Sequence, residues 1–194
     1  MAIELRLPRS QAERARMALR TLLEVIGEDP DREGLRDTPD RVLRSWEEIF
    51  SGYGQDPAEI LATTFEEVEG YQEFVLLKDI PFHSTCEHHM LPFEGEAHVA
   101  YLPGGSVVGL SKLARLVDCF ARRLQIQERM TQQIADALMV HLQARGAAVL
   151  VAGTHGCMAC RGVRKEGARM VTMAFEGDFR TPERRSELLL LTKT

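Results

Sequence analysis

The 194-residue chain lacks any apolar run approaching the roughly 20 residues that span a bilayer, which excludes a transmembrane helix and any expected membrane partner. It lacks a basic excess. Lys and Arg number 24 against 29 Asp and Glu, a net charge of −5. A general nucleic-acid binder needs a basic surface, so nucleic acid is not an expected partner. A small anionic ligand stays open, because local Arg and Lys can still form a pocket. Residues 1–17, MAIELRLPRSQAERARM, lack an apolar h-region and read as no secretory signal. Cysteine is scarce, at four residues. Without an export signal these read as thiols, ligands or core residues of a reducing, cytoplasmic compartment, not as a disulfide framework. Repeats and low-complexity tracts are absent.

What is present is a globular composition, 44% hydrophobic and 27% charged, long enough for one ordinary domain with a real core. The N-terminal third reads as helical. Ser10 and Glu13 have capping-box spacing, Ala15, Ala18, Leu22 and Val25 share a helical face, and Gly27 is a stop. After a charged loop, Thr38 reads as the cap of a second helix with Pro39 at its first position. The period then changes. Phe74 to Ile80 reads as a short strand ending at Pro81. Phe93, Gly95, Ala97, Val99 and Tyr101 alternate with Glu94, Glu96 and His98, a half-buried strand. Two helices follow, from near Ser111 and from Gln127 to Gly146. Strands over 147–152 and around Val171, Met173 and Phe175 come next, and a last helix opens at Thr181-Pro182. This order predicts an α+β fold: an antiparallel four-stranded sheet, two helices inserted between strand pairs and lying on one face, and N-terminal helices before it. The uncovered sheet face points to oligomerisation.

Chemistry concentrates in two places. Cys86-Glu87-His88-His89 lies between two predicted strands, and His155-Gly-Cys157-Met-Ala-Cys160-Arg161 follows a buried strand. Strand-end loops are where a sheet presents functional groups. Thiolate with imidazole favours zinc. Two zinc sites are open on the residues alone. One is a closed structural site of Cys86, His89, Cys157 and Cys160. The other has three ligands and one position left for water. Cys119 beside Phe120 reads as core, His98 and His141 as structural, and His83 is undecided. Ser111, Lys112 and Arg115 surround a predicted helix N-terminus, which suits phosphate, or else form a solvated basic face with Arg161, Arg164 and Lys165. Glu128 opens a helix. It is either a dipole-matched acid or a bidentate acceptor for the N1–H and exocyclic amine of guanine.

Four segments together resemble one family. They are Cys86-Glu-His-His89, Val108-Gly-Leu-Ser-Lys-Leu-Ala-Arg115, Phe120-Ala-Arg-Arg-Leu-Gln-Ile-Gln-Glu-Arg129, and His155-Gly-Cys-Met158 with Arg161-Gly-Val163. With Asp37-Thr-Pro-Asp-Arg41 they resemble zinc-dependent GTP cyclohydrolase I, in order from about Leu19 to near Leu191. The resemblance implies the tunnelling fold, with subunit sheets joined into a barrel in a homodecamer whose sites lie between subunits. It implies an N-terminal helical region over 1–60 and a catalytic domain over 61–194. The implied reaction is GTP plus water to 7,8-dihydroneopterin triphosphate plus formate, the entry to pterin and folate synthesis. By position, Cys86, His89 and Cys157 are implied zinc ligands and His88 and His155 proton-transfer residues. Glu128 with Gln127 is implied to hold guanine. Ser111, Lys112, Arg115 and Arg161 are implied to meet the ribose and triphosphate, and Arg41 to reach a neighbouring subunit's site.

Cys160 departs from the family pattern, as do Met170 and Glu176, and residues 1–18 lie outside the resemblance. Two other functions remain in view at this point. One is a non-catalytic, zinc-stabilised guanine-nucleotide-binding module. The other is a relative of the same fold acting on another pterin or purine.

Overall fold

The computed structural model describes residues 9–65 and 71–193. The chain divides into two compact units, Met1–Ser51 and Gly52–Thr194. The first contains helices α1 (Arg9–Val25) and α2 (Thr38–Ile49), joined by an Arg16–Asp40 ion pair at 2.5 Å. Ser10 is already helical, so it does not cap α1 as its spacing with Glu13 predicts. Gly27 does end the helix. It takes φ +90°, the left-handed conformation that glycine adopts without a Cβ penalty, and the Glu28 N–H donates to the Leu23 carbonyl at 3.0 Å. The N-cap of α2 is Asp37, not Thr38, which leaves Pro39 within the first turn where its missing N–H costs nothing.

The second unit begins with a short helix α3 (Pro57–Leu61), capped by Asp56, whose side chain accepts from the Ala58 N–H at 2.8 Å. A two-residue strand β1 (Thr64–Phe65) follows. The main sheet is built from β2 (Val75–Cys86), β3 (Pro92–Leu102), β6 (Gly146–His155) and β7 (Arg169–Gly177), neighbours in that order and all antiparallel. Between β3 and β6 the chain forms β4 (Val107–Val108), α4 (Leu110–Ala121), β5 (Leu124–Gln125) and α5 (Gln127–His141). A one-turn helix α6 (Gly156–Ala159) links β6 to β7, and α7 (Pro182–Leu191) closes the chain behind its Thr181 cap. The expected four-stranded antiparallel sheet with its inserted helix pair is present. It gains a fifth member, β5, parallel to β2 through Thr85↔Leu124 and Cys86↔Gln125.

Two expectations need correction. β2 does not stop at Pro81; it continues five residues further, with Pro81 opposite Glu96. Among the described residues only β5 pairs beyond β2, at Thr85 and Cys86, so along most of its length β2 is an edge strand, where proline's missing donor is tolerated. Nor is the second sheet face wholly bare. Ala97, Val99, Tyr101, Val149 and Val151 bury one face beneath α4 and α5. Their alternates Ala100, Leu102, Ala148 and Leu150 are buried on the other face with Phe179 and Leu188 of the C-terminal segment. Val171 and Met173 remain exposed there.

Gly95 and Gly153 face each other across β3 and β6. A Cβ on Gly95 would lie 2.0 Å from the Ala152 carbonyl oxygen, a backbone atom that cannot step aside. Gly95→Ala is therefore expected to destabilise the sheet by about 3 kcal/mol or more, at the upper end of overpacking costs. Urea unfolding of the variant measures it through the drop in midpoint at unchanged slope.

Candidate active site

β2 and β6 both run antiparallel to β3, so they are parallel to each other and their C-terminal ends emerge at the same sheet edge. β5 is parallel to β2, and its exit into α5 opens at that edge too. This topology brings together two clusters far apart in sequence. Cys86, the last residue of β2, enters a tight turn. Its N–H donates to the Leu91 carbonyl at 2.9 Å, and the Met90 N–H donates to the Cys86 carbonyl at 2.8 Å. From the other side β6 ends at His155, and α6 presents Cys157.

Cys86 Sγ, Cys157 Sγ and a ring nitrogen of His89 lie within 4.8 Å of one another. Two thiols and an imidazole make a donor set for a soft divalent metal. Cys86 is buried, and burial together with Cys86 pushes the Cys157 thiol pKa up. A cation at this spot would favour the Cys157 thiolate that burial disfavours. The residues fit a metal. Cys160 stands outside this cluster, and its Sγ–H donates to the Gly156 carbonyl at 2.9 Å. Among the described residues the cluster thus offers three donor side chains, the number that leaves a fourth position open around a tetrahedral metal. Arg161 is drawn to it, its guanidinium donating to His89 Nε2 at 2.9 Å.

His155 sits beside this cluster. Its ring stacks on Phe93 at 4.6 Å and 5° between planes. Burial holds its pKa below the usual histidine range, and the Glu128 carboxylate partly offsets this. At neutral pH the free site therefore holds a neutral imidazole. Glu128 is exposed in the first turn of α5. Gln127, expected at the guanine beside it, is 1% exposed, and its side-chain amide is engaged inside the protein. His88 is exposed in the turn, with Nε2 3.9 Å from a Glu87 carboxylate oxygen. Ser111, Lys112 and Arg115 occupy the start of α4 behind its Gly109 cap. Arg41 lies on α2 in the first unit, 3.4 Å from Asp37.

Sequence reasoning missed Phe93 as the platform for His155, because its strand alternation marked it only as core. It also missed the Glu87–Arg129 ion pair, which ties the turn after β2 to α5. Two charges inside motifs already singled out were the available signal. Cys119 is fully buried, as expected, and His98 accepts from the Asp79 N–H at 3.1 Å in a structural role. His141 is exposed in the last turn of α5, where a helix C-terminus favours a basic group.

The GTP cyclohydrolase I family profile matches residues 15–193. The chain belongs to the GTP cyclohydrolase I family. It is 58% identical to a GTP cyclohydrolase 1 of Allorhizobium ampelinum over 173 residues, covering 89% of this chain and 86% of that protein. It is also 58% identical to a GTP cyclohydrolase 1 of Brucella canis over 166 residues, 86% of this chain and 78% of that protein. Family membership agrees with the α+β fold and its antiparallel sheet. Among the described residues no helix is long and apolar enough to cross a membrane.

The three-ligand geometry has a direct consequence. Cys157→Ser is expected to weaken metal retention by at least ~100-fold, beyond the range for outer partners of ligands, while Cys160→Ser retains metal as the parent does. Metal content after dialysis against a graded chelator series, on both folded variants, checks this.

Proposed function

We propose that this protein is a zinc-dependent GTP cyclohydrolase I. It converts GTP and water to 7,8-dihydroneopterin triphosphate and formate, the first step of pterin and folate synthesis in the cytoplasm. The observation that carries this reading is the convergence, at one sheet edge, of the Cys86/His89/Cys157 donor set with His155 and Glu128 in a chain of this family. Cys86, His89 and Cys157 hold the zinc. When bound, zinc supplies Lewis acidity that lowers the pKa of a water toward ~7, making a nucleophile at neutral pH.

The chain's own groups do the rest. Glu128 accepts from the guanine N1–H and exocyclic amine, two adjacent donors that a carboxylate matches in bidentate fashion. Guanine C8 is a weak electrophile, and a proton delivered to N7 makes it attackable. His155 carries that proton. The ring, neutral in the free site, takes up a proton from solvent on Nδ1 and passes it to N7; the lowered pKa makes the imidazolium a ready donor and returns the ring to its neutral form. Opening of the imidazole ring, release of formate, carbonyl migration and closure of the pteridine all need further proton transfers, which His88 and His155 share. Ser111, Lys112, Arg115 and Arg161 meet the ribose and triphosphate, which explains local cations in an acidic chain. The catalytic domain spans residues 61–194. Arg41, from the N-terminal region, serves the site of an adjacent subunit in a homodecamer. The exposed outer face at Val171 and Met173 supports assembly of subunit sheets.

Glu128→Gln replaces a double acceptor by a group with one acceptor and a misplaced N–H. The expected loss is about 2–4 kcal/mol, or roughly 30- to 1,000-fold in kcat/KM, with folding unchanged. Formate release and the rise of dihydropterin absorbance on zinc-loaded protein measure it; an unchanged kcat/KM would reduce Glu128 to a helix-end acid. Sedimentation velocity of the active protein is expected to show a ten-subunit particle. A stable, active monomer would remove both the decamer and the shared site.

A further inference from the structure

The side chain of Gln127 is not free to read a ligand. It is 1% exposed at the first position of α5. Its Nε2 faces the Val151 carbonyl at 3.1 Å, the Met170 carbonyl at 3.0 Å and the Thr172 hydroxyl at 3.1 Å. Two carbonyls can only accept, so they fix which end of the amide is nitrogen. The other end, Oε1, lies 2.9 Å from His155 Nε2. An amide oxygen can only accept, so His155 Nε2 carries a hydrogen there. The ring's other nitrogen, Nδ1, is left without this partner. Phe93 fixes the ring plane by stacking. Gln127 fixes the rotation within that plane.

A second observation points the same way. Gly153, opposite Gly95, carries no side chain just where Gln127 needs room. A Cβ there would lie 2.8 Å from Gln127 Oε1, the atom that meets His155. The absence of a side chain at Gly153 thus accommodates the contact.

We propose that Gln127 is a positioning residue for His155: anchored to β6 and β7, it holds the imidazole in one orientation with Nε2 turned inward and Nδ1 presented to the substrate. This rests on His155 acting as a proton-transfer residue, and it separates Gln127 from Glu128, its neighbour on the same helix turn. Glu128 binds guanine, whereas Gln127 acts through His155 and contributes to turnover, not to binding.

Gln127→Met and Gly153→Ala test this on zinc-loaded protein with GTP as substrate. Gln127→Met is expected to lower kcat about 10- to 100-fold, a magnitude taken from outer partners of metal-binding histidines, with KM within about 2-fold. Gly153→Ala, whose Cβ would crowd Gln127 Oε1 at 2.8 Å and meet the Glu94 carbonyl oxygen at 3.3 Å, is expected to lower kcat about 3- to 10-fold, again at unchanged KM. Ring-nitrogen NMR of His155 at neutral pH provides a readout that does not depend on activity. The parent should show a single form with hydrogen on Nε2, and Gln127→Met a mixture of both tautomers. A retained kcat, or a raised KM at unchanged kcat, would overturn the proposal and return Gln127 to the guanine. So would identical ring signals in parent and variant. If the parent itself releases no formate, the cyclohydrolase reading fails, while the NMR comparison still decides the positioning role. If Gln127→Met does not fold, Gly153→Ala carries the test.

Discussion

The pairing of β3 between β2 and β6 is the constraint on which the rest depends. Because β3 is antiparallel to both, the two strands that deliver the thiols end at one edge. The register then sets the details. Phe93 stands opposite Ser84 on one side and His155 on the other, so the ring that supports His155 comes from the strand between the two clusters. A slip of one residue would send Phe93 to the opposite sheet face and remove the platform. Close approach of the two backbones at Gly95 and Gly153 holds that register.

Three kinds of chemistry are kept apart at this edge by burial. Cys86 is buried and Cys157 half-buried, and burial pushes the Cys157 thiol pKa up, which disfavours its free thiolate and favours its capture by a cation. His155 is partly buried, which keeps it neutral near pH 7. His88, His89 and Glu128 are exposed to solvent. The Glu87–Arg129 pair and the Glu87 N–H bond to the Gln125 carbonyl fasten the histidine-bearing turn to the start of α5. The turn therefore moves with the helix that carries Glu128, so the Cys86/His89 turn and Glu128 share one rigid frame.

Much of the fold could be read from periodicity. The alternation over 93–101 identified a strand with one buried face, and the helical stripes after Ser111 and Gln127 identified the inserted pair. The misreadings have local causes. Proline at 81 looks like a strand end, because sequence does not say that the strand is an edge. Ser10 looks like a cap, because capping depends on backbone conformation before the helix. The five-residue α3 and the two-residue strands are too short for any period to register.

By itself, the sequence determined the chemical inventory: which residues bear thiols, imidazoles and carboxylates, in which motifs, and hence the family. Side-chain type and local spacing are properties of the chain, so they survive without coordinates. Tertiary structure alone decided which of these groups meet. The three-membered donor set without Cys160, the stacking of His155 on Phe93, and the turning of Gln127 inward from its exposed neighbour Glu128 are all contacts between distant segments. They follow from strand direction and register, and neither is written in the spacing of residues along one segment.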